Sequence, residues 1–306
     1  MSTLERGDAS SSPPPSPAAS INPHPSVLRT SMPKAGTPGG RLGVGRRTPH
    51  FWRIREELPP RMRSALVATS LIAPIVLWFV ISNTTDTLFT PTLSEIFAAG
   101  RELATSGLLH ADAWASTRRV LIGFGLSLAV SVPLGLAMGT FKSIEALFEP
   151  FIGLVRYMPA TAFVPLLMIV FGLGEEPKIA LIFLGTVFFN TLMIANIVWQ
   201  VPTELIRAAF TLGGGPFTVF RKVIFPYSVP GTIDAARVNL AAAWNMVIVA
   251  ELLAANEGLG LRIIRMQRGL QTDTIWAVLI AIGIIGLTTD LTLRFARNRL
   301  APWSQE

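Results

Sequence analysis

The chain has 306 residues, half of them apolar and only 15% charged, with a mean hydropathy of +0.50; a water-soluble domain of this length would lack the polar residues to cover its surface. The net charge of +7 sits in an N-terminal tail and in short segments beside apolar runs, which argues against a nucleic-acid partner and suits one face of a membrane. The absence of cysteine excludes a disulfide framework, a thiolate metal site and a cysteine nucleophile, and three histidines, His24, His50 and His110, do not make an imidazole metal cluster.

Residues 1–60 read as a Ser/Pro-rich basic tail, too poor in apolar periodicity to repay its ordering entropy and therefore expected to be disordered. No short apolar core with a small-residue cleavage site follows the start, so no secretory signal is predicted. Residues 61–306 then form one all-α membrane domain. Crossing a bilayer takes roughly 20 apolar residues, and six stretches qualify, at about 64–81, 114–140, 150–173, 179–199, 233–254 and 274–293. Each is predicted to be a helix, including those carrying Pro133, Pro159 and Pro165, because backbone groups in lipid must bond within their own segment. Between the first two spans, residues 91–106 alternate apolar Leu93, Ile96, Phe97 and Leu103 with charged Glu95, Arg101 and Glu102. They are expected to form a short amphipathic helix on the membrane surface or against the bundle.

Arginine placement sets the orientation. Arg46, Arg47, Arg53, Arg55, Arg61 and Arg63 precede the first span, and Arg294, Arg297 and Arg299 follow the last. Both termini are thus expected in the cytoplasm, and the loop at 200–231, with Arg207, Arg221 and Lys222, falls on the same side. Arg262, Arg265 and Arg268 disagree with this rule, lying between the fifth and sixth spans. Their three-residue spacing puts them along one helix face, where they draw anions, dock an acidic partner, or are simply solvated.

Within the 200–231 loop, residues 204–212 read as one helix, Gly213-Gly-Gly-Pro216 as a break, and 216–223 as a second short helix beginning with proline. Phe217, Phe220 and Val223 recur at helical spacing beside Arg221 and Lys222, an aromatic anchor inside a basic rim, and Pro226 and Pro230 are expected to stop the helix before the fifth span. Glu204 and Arg207, one turn apart, are placed to pair.

Ionisable groups within spans are functional suspects. Arg156 with Tyr157 either snorkels to the headgroups or contacts an anion; Glu251 is expected to hold the bundle by pairing; Asp290 with Arg294 makes an i, i+4 pair. Asn190, Asn196, Asn239 and Asn245 either cross-link helices or line a polar passage, and Trp244 either packs or gates. Of these, Arg156, Tyr157, Asn190, Asn239, Trp244, Asn245 and Glu251 are the candidates for a translocation path.

The spacing of Ala208-Ala209, Gly213 and Pro226 is similar to the loop motif of permease subunits of bacterial ATP-binding-cassette importers. Ala236-Arg237, Ala243-Trp244, Ala250-Glu251, Gly258-Leu-Gly260 and Asp290 resemble the branch that handles nitrate, bicarbonate, taurine and other sulfonates, and the resemblance spans about 114–303. Arg207 stands where that motif has Glu, and Phe225 where it has Leu. The resemblance implies a type I importer permease fold and an ATPase-coupling loop carried by Glu204, Arg207, Ala208, Ala209, Gly213, Phe217, Phe220, Arg221, Lys222 and Pro226. It also implies a second permease copy in a homodimer, two cytoplasmic ATPase subunits, an external binding protein and a bacterial inner-membrane location, with ATP and Mg on the ATPase partner and no cofactor here. No Gly-x-x-x-x-Gly-Lys-Ser/Thr phosphate cradle is present, nor His-Glu-x-x-His or Gly-x-Ser-x-Gly, so the chain itself is not expected to be an enzyme. A permease for a non-anionic solute such as a pyrimidine and a stand-alone carrier or channel are the alternatives.

Overall fold

The structure, a computed structural model, describes residues 58–84 and 89–304; the tail predicted at 1–60 lies outside the described residues except for its last three. Among the described residues all regular structure is helical, and five helices are long and apolar enough to cross a membrane, or six elements if a bent pair counts as one span. From Ala65 onward the chain forms one packed unit.

Helix α1 (Pro60–Thr84) is apolar and largely exposed along its length, with Leu71 and Leu77 more than 60% accessible, a surface that only lipid or another protein can cover. Helix α2 (Leu93–Thr105) begins with a capping box, Thr92 N donating to Glu95 Oε2 at 2.8 Å and Glu95 N to Thr92 Oγ1 at 3.4 Å. It lies against the bundle, with Ile96 and Ala99 on Ala277 and the Trp78–Trp276 edge contact beside them.

The centre is α3 (Leu108–Thr140) packed on α6 (Glu176–Trp199). Gly123, Gly135 and Gly139 make this approach possible: a Cβ at Gly123 would stand 2.8 Å from Ile182 Cβ, one at Gly135 2.7 Å from Thr191 O, and one at Gly139 would overlap Val198. Small residues four apart in a membrane helix let backbones meet where side chains would hold them away. Helix α9 (Phe225–Ala254) closes the core with Ala243, Trp244 and Val247 against Val120 and Ile182, and α11 (Thr272–Leu300) adds Val278.

Two span predictions need correction. The stretch predicted as one helix at 150–173 is a broken span, α4 (Lys142–Val155) and α5 (Val164–Phe171) bent by 80° about a 3-10 turn at Ala160–Phe163. Pro159 has no N–H to continue α4 and pushes Met158 away from helical angles, while Pro165 sits in the first turn of α5, where no donor is missed. The second correction lies before the fifth span. Pro226 and Pro230 do not stop the helix: α8 (Pro216–Val219) passes through a π turn at Phe220–Ile224 into α9 without a break. Phe225 N reaches back to Phe220 O, and this one-residue offset leaves Pro226 in the first turn of α9, where its missing donor costs nothing.

Candidate functional site

The 200–231 loop is a knob built on a helix terminus. Helix α7 (Thr203–Thr211) ends at Leu212, after which Gly213 N donates to Phe210 O at 2.9 Å and Gly214 N to Ala209 O at 3.0 Å, the paired bonds of a Schellman C-cap. Gly213 takes φ +81° with open space around it, so backbone conformation and not crowding requires glycine there. A Cβ on Gly214 would lie 2.7 Å from Ala209 O. The spacing of Ala209 to Gly213 and Gly214 is therefore the spacing of a helix stop.

The knob rests on the ends of α3 and α6 through Val219 and Ile224, which pack with Leu136, Ile194 and Val198, and Ile206 and Ala209 lie against the same cluster. Phe220 and Val223 also pack on it, which corrects the expected anchor: of the predicted trio only Phe217 points outward, 73% exposed, together with Leu212 at 88%, which the sequence reading did not single out. Ala208, Arg221 and Lys222 are exposed around them, and Pro226 is half-buried. No ion pair joins Glu204 to Arg207; the carboxylate accepts Thr203 Oγ1 at 3.3 Å instead, and both side chains are exposed.

Midway along the bundle the polar candidates separate into two groups. Asn190 and Asn239 are buried and linked, Asn239 Nδ2 donating to Asn190 Oδ1 at 2.8 Å and Asn190 Nδ2 to Ser127 Oγ at 3.3 Å, a cross-tie among α3, α6 and α9. Asn196 and Asn245 are exposed on the protomer surface. Trp244 is buried in the core.

At the end of the bundle remote from the knob, charges are buried and joined. Asp112, Ser116 and Arg119 stand at i, i+4 and i+7 on α3, one face of the helix, all three buried. Arg119 Nη1 donates to Glu251 Oε1 at 2.7 Å and to Glu257 O at 2.8 Å; its other face meets Glu175 at 2.5 and 2.8 Å. The turn before α10 (Leu259–Arg268) wraps the Glu251 carboxylate: Gly260 N donates to it at 2.8 Å and Ser116 Oγ at 2.8 and 2.9 Å, while Gly258 N donates to Asp112 Oδ1 and Leu259 N to Ser116 Oγ. Glu251 has every oxygen occupied, which is what a buried carboxylate needs. Glu175, in the turn between α5 and α6, is held down to about 2 chiefly by hydrogen bonding from Arg119, with Lys178 adding to it at 2.7 Å.

Arg262 belongs to this clamp. It is buried and its guanidinium meets Asp112 at 2.6 and 2.7 Å, so it is not part of an open basic face; Arg265 and Arg268 are exposed, the former donating to Asn256 O. The arginine that breaks the orientation rule most deeply is thus neutralised by an aspartate 150 residues earlier. Asp290 is likewise re-partnered. It takes a bidentate contact from Arg237 of α9 at 2.9 and 2.9 Å, and Arg237 and Arg297 both reach Asp234, so the tie runs between helices and not along α11 to Arg294. Arg119, Asp112, Glu175, Arg237 and Asp234 were absent from the candidates; the polar stripe of Asp112, Ser116 and Arg119 in an otherwise apolar helix is the signal that identifies the first two.

Arg156 and Tyr157 occupy the break of the bent span, both exposed, with Arg156 Nη2 donating to the Tyr157 hydroxyl at 3.1 Å and the guanidinium 4.9 Å from the ring centre. They line one side of a cavity of about 460 Å³.

A family model described as the binding-protein-dependent transport system inner membrane component matches residues 131–304. A probable ABC transporter permease of Brucella abortus is 36% identical over 228 residues, 74% of this chain and 91% of that protein. The taurine transport system permease TauC of Escherichia coli is 31% identical over 84% of this chain and 96% of its own length, and further relatives are named for aliphatic sulfonates and for nitrate. A chain of the MetNI methionine ABC transporter, solved in inward-facing form, superposes with a TM-score of 0.54 at 20% identity over 66% of this chain and 99% of that one, a likeness of fold. With the family model covering more than half of its length, the chain belongs to the inner-membrane permease components of binding-protein-dependent ABC transporters.

Proposed function

We propose that this chain forms the translocation path of an ATP-driven importer for a small anion and that the α7–α8 knob couples the path to a separate ATPase. The observation that carries the reading is the exposed pair Leu212 and Phe217 on a knob whose inner face is packed onto α3 and α6. An exposed apolar anchor on a knob that also exposes Arg207, Arg221 and Lys222 has the composition of a protein-binding hot spot. Because α8 runs through the π turn into α9, a force applied at Phe217 is delivered to a core helix and not dissipated in a flexible linker. ATP and Mg would be held by the ATPase, as this sequence has no phosphate cradle.

The working assembly in this reading is two permease copies, two ATPase subunits and an external binding protein, in a bacterial inner membrane with both termini and the knob on the cytoplasmic side. The exposed apolar faces of α1, α5 and α11 suit lipid and a second copy. Anion as the substrate class is supported by the relatives named for taurine, sulfonates and nitrate. The test is co-purification from membranes followed by uptake. Leu212→Asp with Phe217→Asp is expected to leave the permease in the membrane, release the ATPase and abolish uptake of every anion that the unaltered complex imports; retention of a stoichiometric ATPase by this variant refutes the coupling assignment.

A further inference from the structure

Resting on the anion-permease reading above, we propose that the cavity at the break between α4 and α5 binds an organic anion with a single charged head and an apolar body, in preference to a small inorganic anion. One side carries the head group's partners. Arg156 is exposed, and among the described residues no carboxylate pairs with it; an unpaired cation within a membrane segment is costly and calls for a counter-anion. The Tyr157 hydroxyl accepts from Arg156, which leaves its own proton to donate to the same anion. The remaining side chains of the lining are apolar, with Phe151, Phe163, Phe188 and Met246 around the space.

Those walls decide the class of ligand. A nitrate ion would find the guanidinium and one hydroxyl, and would shed much of its remaining water against apolar side chains. A sulfonate or carboxylate with an alkyl or aryl body satisfies its head at Arg156 and removes its apolar body from water along the phenylalanines. The volume of about 460 Å³ is in the range of pockets that take small organic ligands. Gly185 sets the depth, since a Cβ there would lie 2.6 Å from Met246 Cγ and would drive that side chain out of place.

Binding of radiolabelled hexanesulfonate to the full-length chain in phosphatidylcholine nanodiscs tests this. Saturable binding is expected, tightening about fourfold for each methylene added to the competing alkanesulfonate until the cavity is filled. Nitrate is expected to compete only at concentrations at least a hundredfold higher. Arg156→Gln should weaken binding at least tenfold with Arg156→Lys recovering part of it, and Met246→Ala, which widens the cavity, should shift the optimum to a longer chain. Equal competition by nitrate, unchanged affinity in Arg156→Gln, or no saturable binding at all, as when a second copy fills the space, overturns the proposal. Loss of binding on adding phosphatidylglycerol to the discs assigns the cavity to an anionic lipid and overturns it too. If the whole complex imports nitrate while the chain fails to bind hexanesulfonate, the cavity assignment falls and the anion-permease reading stands; if the complex imports no anion, that reading falls first.

Discussion

The two ends of the bundle hold their polar residues in opposite ways. At the knob end, Leu212, Phe217, Arg221 and Lys222 are exposed, and the fold supplies a rigid base for them through a local helix stop. At the other end, Arg119 and Glu251 are fully buried and paired, with Asp112, Arg262 and a glycine turn locked around them. A surface prepared for a partner leaves apolar groups uncovered, whereas a joint that must survive in a low-dielectric interior satisfies every charge. The knob thus leaves an apolar surface uncovered, while the clamp ties α3, α6, α9 and α10 together through buried, paired charges.

The clamp gives the largest expected effect. Arg119→Leu leaves the buried Glu251 without its cation and should cost about 3–5 kcal/mol, read as a large drop in thermal unfolding temperature in detergent. Arg119→Leu combined with Glu251→Leu should recover part of that loss, and a single variant as stable as wild type would show that the pair is not what joins these helices. Gly258→Ala comes next, since φ is +128° and the new Cβ would stand 2.5 Å from the Glu251 carboxyl; a loss of about 1–3 kcal/mol is expected, and a neutral result would mean the turn does not enclose the carboxylate.

At the knob the expected effects on stability are smaller. Gly213→Val should cost about 1–2 kcal/mol from left-handed backbone strain, whereas Gly213→Asn, which tolerates that conformation, should lose little; equal losses in the two would point to crowding, contrary to the open space around this residue. The smallest effect is the pH dependence at Glu175. Its pKa lies below the ordinary value of 4.5, at about 2, so its contribution to stability is complete above pH ~4.5 and is lost as pH falls toward 2. Solvent reaches more than a third of its side chain, so salt should weaken the effect. Unfolding followed between pH 5.5 and 3 should steepen on the acid side in wild type and less so in Glu175→Gln; parallel profiles would remove Glu175 from the clamp.

The knob was legible because its determinants are local. The three glycines, Pro216 and the α7 helix lie within a few residues, and backbone geometry at Gly213 follows from its neighbours alone. Phe220 was misread for a related reason: helical spacing gives the shared face of Phe217, Phe220 and Val223 in an ideal helix, but the π turn changes the register and the bundle covers two of the three. Proline was misread in both directions: Pro226, expected to stop a helix, is absorbed by the same offset, and Pro159, expected inside one, breaks the span because nothing replaces the missing donor.

The sequence by itself determined that this is an all-helical membrane chain with about six apolar crossings and a helix-stop loop before the fifth, since hydropathy, length and glycine placement act over one turn or one bilayer thickness. Tertiary structure alone decided which charges are paired. Arg119 meets Glu251 across 132 positions and Asp112 meets Arg262 across 150; a charge in an apolar helix demands a partner, but only the close approach of α3 to α6 and the glycine turn after α9 specify which one.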